Sequence, residues 1–277
     1  MQSLQDLYRF SQTLSYSEQV MPTLFIGHGS PMNAITDTVF SQNWHSLGQS
    51  LPTPKAILVI SAHWLTQGSA ITAMDFPETI HDFSGFPQPL FDVSYPAPGD
   101  PSLAVETQQL VQPFDLHLDH DWGLDHGTWS ITKHMFPQAN IPVLQLSIDY
   151  YKPLDYHYQL ALQLRELRKK GVLLIGSGNM IHNLRLLSWD QMENNYGFDW
   201  AIEINGVLQQ AIADHDFKRL LDYEKLHPHI TLAIPTLEHY IPMLYNLGLK
   251  DKKDELMFFN DAYVGGSLSM TSFMYYQ

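Results

Sequence analysis

The 277-residue chain has no cysteine. That absence removes disulfides and thiolate ligands together, so any metal must be held by histidine nitrogen and carboxylate oxygen. Basic residues are scarce: 15 Lys and Arg stand against 29 Asp and Glu, giving a formal net charge of −14. Such a surface repels nucleic acid phosphates and anionic lipid, so neither a nucleic acid nor a membrane is expected as a partner. No apolar run approaches the roughly 20 residues that span a bilayer, and residues 1–20 have no basic segment followed by an apolar core. A soluble cytoplasmic protein is expected. No Pro/Ser-rich or charged linker, internal repeat or low-complexity tract divides the chain, which is read as an N-terminal arm or short amphipathic helix over 1–20 and one domain over 21–277. With 44% hydrophobic and 12% aromatic residues, that domain has ample material for a core.

What the chain does have is histidine, 14 in all, some of it in a recurring setting. Leu24-Phe25-Ile26-Gly27-His28-Gly29-Ser30-Pro31-Met32 is an apolar run that stops at an imidazole between two glycines, where the backbone can turn and Pro31 keeps the strand from continuing. Ala56-Ile57-Leu58-Val59-Ile60-Ser61-Ala62-His63-Trp64 repeats the pattern, and Val172 to Gly178 followed by His182 is a third instance. Three strand-like runs ending in histidine point to one shared site.

Between them the spacing predicts helices over 33–48, 102–111, 156–170, 201–214 and 217–221, a strand over 141–148, and a closing strand over 265–273. Thr236 is placed as a possible N-cap, with His239 in the first turn of the helix it opens. The stretch 70–98, rich in Phe, Tyr and Pro, reads as a long aromatic loop, and 119–129 as a loop gathering acidic, aromatic and imidazole groups. Strands alternating with helices predict an α/β fold with a mostly parallel central sheet flanked by helices and a site at the carboxyl ends of its strands. His28, His63 and His182 all fall there. His45, His81, His117, His120, His134, His157, His215, His227 and His229 stand in helical or loop contexts where a solvated or hydrogen-bonded ring is the default.

Three converging neutral imidazoles would suit Zn(II) or Fe(II) and leave coordination positions open. Such an ion can act as a Lewis acid, activate water, or, as iron, bind dioxygen together with an organic substrate. Residue chemistry alone does not choose among these.

Eight motifs, in order from Met21 to Met270, carry a family resemblance. They are Gly27-His28-Gly29-Ser30-Pro31-Met32; Ser61-Ala62-His63-Trp64; Thr79-Ile80-His81-Asp82-Phe83 with Gly85-Phe86-Pro87; and Tyr95-Pro96-Ala97-Pro98-Gly99. Asp125-His126-Gly127-Thr128-Trp129, Gly176-Ser177-Gly178-Asn179 with His182-Asn183-Leu184, Glu238-His239-Tyr240 and Gly266-Ser267-Leu268-Ser269-Met270 complete the set. Together they resemble the 4,5-DOPA extradiol dioxygenase family of class III ring-cleaving enzymes. The resemblance implies Fe(II) for catalysis, with Zn(II) able to occupy the site, and a catechol and dioxygen as small-molecule partners. It implies His28, His63 and His239 as metal ligands, His182 as an additional ligand or the catalytic base, and His126 as a second active-site histidine, able to donate a hydrogen bond toward bound oxygen. Glu238 competes with His239 for the third ligand place, because the wider superfamily has a glutamate there. Leu237 stands where the family usually has proline. Phe83, Phe86, Trp64, Trp129 and Tyr240 are candidates to sandwich the substrate ring. DOPA as substrate implies a seco-DOPA product that cyclises without enzyme to betalamic acid. A zinc hydrolase and a non-catalytic metal-binding protein of the same fold are the alternatives, and a monomer or small homo-oligomer is expected.

Overall fold

The computed structural model describes residues 20–277; the amphipathic segment expected over 1–20 lies almost wholly outside the described residues. The strands are β1 Thr23–Gly27, β2 Ala56–Thr66, β3 Ser69–Thr72, β4 Leu116–Asp119, β5 Val143–Asp149, β6 Val172–Gly178, β7 Glu255–Phe259, β8 Tyr263–Val264, β9 Leu268–Ser269 and β10 Ser272–Tyr276. Helices of nine or more residues are α1 Val39–Ser50, α2 Pro101–Leu110, α3 His126–Met135, α4 Leu154–Leu164, α5 Asp199–Ala213 and α6 Ile241–Leu249.

Eight strands form one sheet in the order β4-β3-β5-β2-β6-β1-β10-β7. Its centre, β5-β2-β6-β1, is parallel, while β3 runs antiparallel to β5 and β10 antiparallel to β1 and β7. This is the expected α/β architecture with a mostly parallel sheet. The central strands are buried along their whole length, or nearly so in β2, because helices cover both faces. Their alternation assigns the faces: Leu24, Ile26, Ile57, Val59, Leu173 and Ile175 pack with Trp44 of α1 and Trp129 of α3. On the other side Leu58, Ile60, Leu144 and Leu174 meet Leu160 and Leu164 of α4 and Tyr245 of α6, and Phe25 joins Ile204 and Leu208 of α5.

Several expected boundaries shift for identifiable reasons. The helix over 33–48 is a 3-10 turn, Pro31–Ala34, followed by α1, because Thr38 and Ser41 cap each other and start the helix anew. The segment 156–170 divides into α4 and a short turn, Glu166–Lys169. The aromatic stretch begins with β3 and includes one helical turn, Gln88–Phe91. The last four residues of the 119–129 loop are helix: Asp125 accepts from the Thr128 amide and opens α3. Thr236 caps nothing; α6 starts at Ile241, with Pro242 in its first turn, so His239 precedes that helix. The closing segment is two strands, β9 and β10. Among the described residues no helix is long and apolar enough to cross a membrane.

Candidate metal centre

Each imidazole reaches the carboxyl edge of the central strands by its own device. His28 follows β1, its amide donating to the Gly178 carbonyl at 3.2 Å. Gly27 lies so close to Met270 that a Cβ would stand 2.8 Å from its carbonyl oxygen, and Gly29 turns the chain with φ +65°. His63 sits in an irregular part of β2. Ile60 pairs with Leu146 and Leu65 with Ile148, so residues 61–64 oppose Ser147 alone, and the bulge re-aims the histidine. His239 lies just ahead of α6; its carbonyl accepts from the Asn179 amide and packs against Gly178, where a Cβ would collide with it. His182 lies beyond β6 and is tied by its amide to the Ala233 carbonyl at 2.9 Å and by a bridge to Leu268. His126 is the first residue of α3, and Gly127 beside it approaches Ser61 and His63 too closely to admit a Cβ.

The structure brings all five together. The rings of His28, His63 and His239 lie 5.0–5.3 Å apart pairwise between centroids, and one ligand atom from each falls within a common 4.8 Å. His126 packs against His63, ring centres 3.9 Å apart, and His182 stacks on His239 at 3.5 Å and 8°. The Nε2 atoms of His28 and His63 stand 3.1 Å apart. Two nitrogens bound to one ion at about 2.0–2.1 Å would be roughly 2.9–3.4 Å apart.

The tautomers fit the same picture. His28 Nδ1 is 2.9 Å from Ser177 Oγ, whose own proton goes to the Gly127 carbonyl at 2.6 Å. The hydroxyl therefore accepts from Nδ1–H, and Nε2 is left with its lone pair. His63 Nδ1 faces Asp82 Oδ2 at 3.4 Å, and His239 Nδ1 faces Glu238 Oε1 at 3.4 Å. The Nε2 of His239 is buried with no hydrogen-bond partner. Three imidazoles thus each face an oxygen with one nitrogen and leave the other for a cation, so the donor set fits a Zn(II)- or Fe(II)-type ion. Glu238 already accepts from the Thr236 hydroxyl at 2.7 Å, which favours His239 as the third donor.

Burial is the leading cause that keeps these rings uncharged. It lowers His28 and His239 well below the ordinary histidine value, with the neighbouring imidazoles adding to the effect. His63 falls to about 3 and His182 to about 4 for the same first reason, opposed by Asp82 and Glu238 respectively. All four are neutral near pH 7 and so available as ligands or bases.

Two supporting residues went unread in the sequence. Asp82, in the aromatic loop, accepts the His126 amide and its Nδ1–H, both at 2.8 Å. Burial opposes its ionisation, but those hydrogen bonds and the nearby imidazoles prevail and hold the carboxyl below its usual range. The Nδ1–H of His126 is thereby committed to Asp82 rather than to a bound guest. Asp125 accepts from Ser61, Thr128 and Gln145 in full burial, which, together with Asp82, pushes it up to about 6. It locks the β2 bulge to the start of α3. Of the aromatic candidates, Phe83 stands 5.6 Å from His126 and packs on Phe86 and Phe91. Trp129 and Tyr240 are core residues whose N–H and O–H go to the Ile80 and Leu220 carbonyls, and Trp64 stacks on Trp122.

The profile of a family described as the catalytic LigB subunit of aromatic ring-opening dioxygenase matches residues 22–264. The chain is 44% identical over 257 residues to an Escherichia coli (strain K12) protein named 4,5-DOPA dioxygenase extradiol, covering 91% of this chain and 93% of that one. It is 34% identical over 265 residues to a Beta vulgaris protein of the same name, with coverage of 93% and 97%. A crystal structure of an uncharacterized protein from Escherichia coli K12 matches with a TM-score of 0.79 at 38% identity, over 92% of this chain and 99% of that one.

Proposed function

The chain belongs to the LigB family of aromatic ring-opening dioxygenases and is an oxidoreductase of the extradiol kind, and from that premise we propose that it cleaves catechols with a divalent ion held by His28, His63 and His239. The observation that carries this reading is the convergence of those three side chains, with the His28 and His63 Nε2 atoms 3.1 Å apart and the His239 Nε2 buried without a partner. Fe(II) is the proposed native ion, and Zn(II) can fill the same donor set. Held there by the three imidazoles, Fe(II) would supply the chemistry that binds a catechol and activates dioxygen. DOPA is the proposed substrate, by analogy with the names of the relatives, and ring opening beside its hydroxyls gives a seco-DOPA that can cyclise to betalamic acid.

The chain's own residues supply the rest. His182, neutral and stacked on His239, takes a proton from a catechol hydroxyl at a ring nitrogen. Its parallel stack favours this role over that of a fourth ligand. His126 faces the substrate from the His63 side. Phe83, with Phe86 and Phe91 behind it, offers an apolar wall that orients the ring and excludes water. No step here calls for the hydrolytic use of the site.

The test is anaerobic reconstitution with Fe(II), then an oxygen-electrode trace as DOPA and other catechols are added. Oxygen uptake with iron, and none with zinc, is expected. Zinc-supported hydrolysis without oxygen uptake would reverse the assignment.

A further inference from the structure

His126 cannot be understood from its own position alone. One carboxylate, Asp82, grips it twice: Oδ1 accepts the backbone N–H and Oδ2 the ring Nδ1–H, each at 2.8 Å. The backbone N–H lies in the first turn of α3, where helical amides have no partner within the helix and an anion is favoured. Holding main chain and ring together fixes the side-chain rotation. The same Oδ2 lies 3.4 Å from Nδ1 of His63, so a single oxygen faces a ligand imidazole and a non-ligand imidazole at once. Asp82 is only 15% exposed, and Phe83, next to it in sequence, has its ring 5.6 Å from that of His126.

The geometry points to Asp82 as a positioning residue: by gripping the backbone N–H and the ring Nδ1–H of His126 together, it sets the ring so that Nε2 is the nitrogen turned toward the substrate as a proton acceptor. The inference rests on the ring-cleavage reading and adds a division of labour to it. A catechol carries two adjacent hydroxyls, and two imidazoles flank the ligand set, His182 against His239 and His126 against His63. His182 receives one proton. At the second hydroxyl the O–H bond breaks, its electron pair stays on the catechol oxygen, and the proton joins Nε2 of His126. The resulting imidazolium keeps its Nδ1–H on the Asp82 carboxylate, which stays ionised throughout. No oxidant or reductant enters this step.

The tautomer is directly readable. In the ¹⁵N-labelled full chain, kept metal-free at pH 8, two-bond proton–nitrogen spectra of the histidine rings are expected to show His126, assigned by its loss in His126→Gln, as the Nδ1–H form. In Asp82→Asn the amide cannot accept at both positions, and a shift toward the Nε2–H form is expected. With saturating iron, that variant should lose about 100-fold in kcat counted per bound ion, while KM stays within twofold of the parent. A wild-type His126 already in the Nε2–H form overturns the proposal without any variant. So does an Asp82→Asn protein whose kcat is unchanged, or whose loss of activity merely follows loss of metal. If iron supports no oxygen uptake in the parent, the ring-cleavage reading fails and the acceptor role with it, while the spectra still decide whether Asp82 sets the ring.

Discussion

β1 and β6 carry a buried polar cluster at each end, and the two are built in opposite ways. At the amino ends, Arg168 is wholly buried and every side of its guanidinium is satisfied: Nε donates to the Met21 carbonyl, Nη1 to the Leu249 carbonyl, and Nη1 and Nη2 to the two oxygens of Asp254. Asp254 in turn accepts from the Asp251 amide and the Gln277 side chain. At the carboxyl ends, imidazoles are packed against one another: the Nε2 atoms of His28 and His63 face each other at 3.1 Å, and His239 Nε2 has nothing to bond. A satisfied cluster holds elements in place. An open one, kept at the cost of burial and built of converging imidazoles, is a donor set that could hold a cation.

The largest way to break this contrast is at the open end. His63→Ala should abolish iron-dependent oxygen uptake, by at least about 100-fold, while leaving the urea midpoint of the metal-free protein close to that of the parent, because no satisfied hydrogen-bond network is lost. The closed end should behave in reverse. Arg168→Met strands a buried carboxylate and should cost about 3–5 kcal/mol of stability by urea unfolding, with kcat per folded enzyme unchanged.

Proton linkage sharpens the comparison further. The site histidines are depressed in the fold, His63 to about 3 and His182 to about 4, so below their ordinary value near 6.5 the unfolded chain binds more protons. Above about pH 6.5 this linkage costs the fold nothing, and stability is lost as pH falls toward 4, by at most about 1.4 kcal/mol per pH unit for each ring. The urea midpoint of the metal-free protein should therefore drop between pH 7.5 and 5.0, and less steeply in His63→Ala. A smaller effect is expected at Ser177→Ala, which removes the acceptor of His28 Nδ1–H: metal affinity by competition with a chelator should weaken about 10- to 100-fold. Trp189→Ser, at a ring 76% exposed, should move stability by less than about 0.5 kcal/mol.

The same contrast explains what was legible in the sequence. His28 and His63 could be read because each ends an apolar run beside glycine or small residues, and the strand pattern itself says where they go. His239 could not be placed by pattern. It lies in the short segment ahead of α6, and only the family motif singled it out. The fold's centre was legible for the same reason as His28: β1, β2, β5 and β6 are long apolar runs. The edges were not, since β3 and β4 have four residues each and mix polar with apolar. The start of α3 was masked by His126 and Gly127, poor helix formers, although Asp125 three residues before Thr128 was a cap signal in plain view. Asp82 was the hardest. Its meaning lies in a partner 44 residues away, and no periodicity in the aromatic loop reports that distance.

Metal content per chain, measured on the parent and on five single alanine variants after loading and desalting, tests the central claim most directly. One ion in the parent, near none in His28→Ala, His63→Ala and His239→Ala, and close to one in His126→Ala and His182→Ala is the predicted pattern. Full occupancy in any of the first three, or loss in His182→Ala as complete as in His239→Ala, would contradict it.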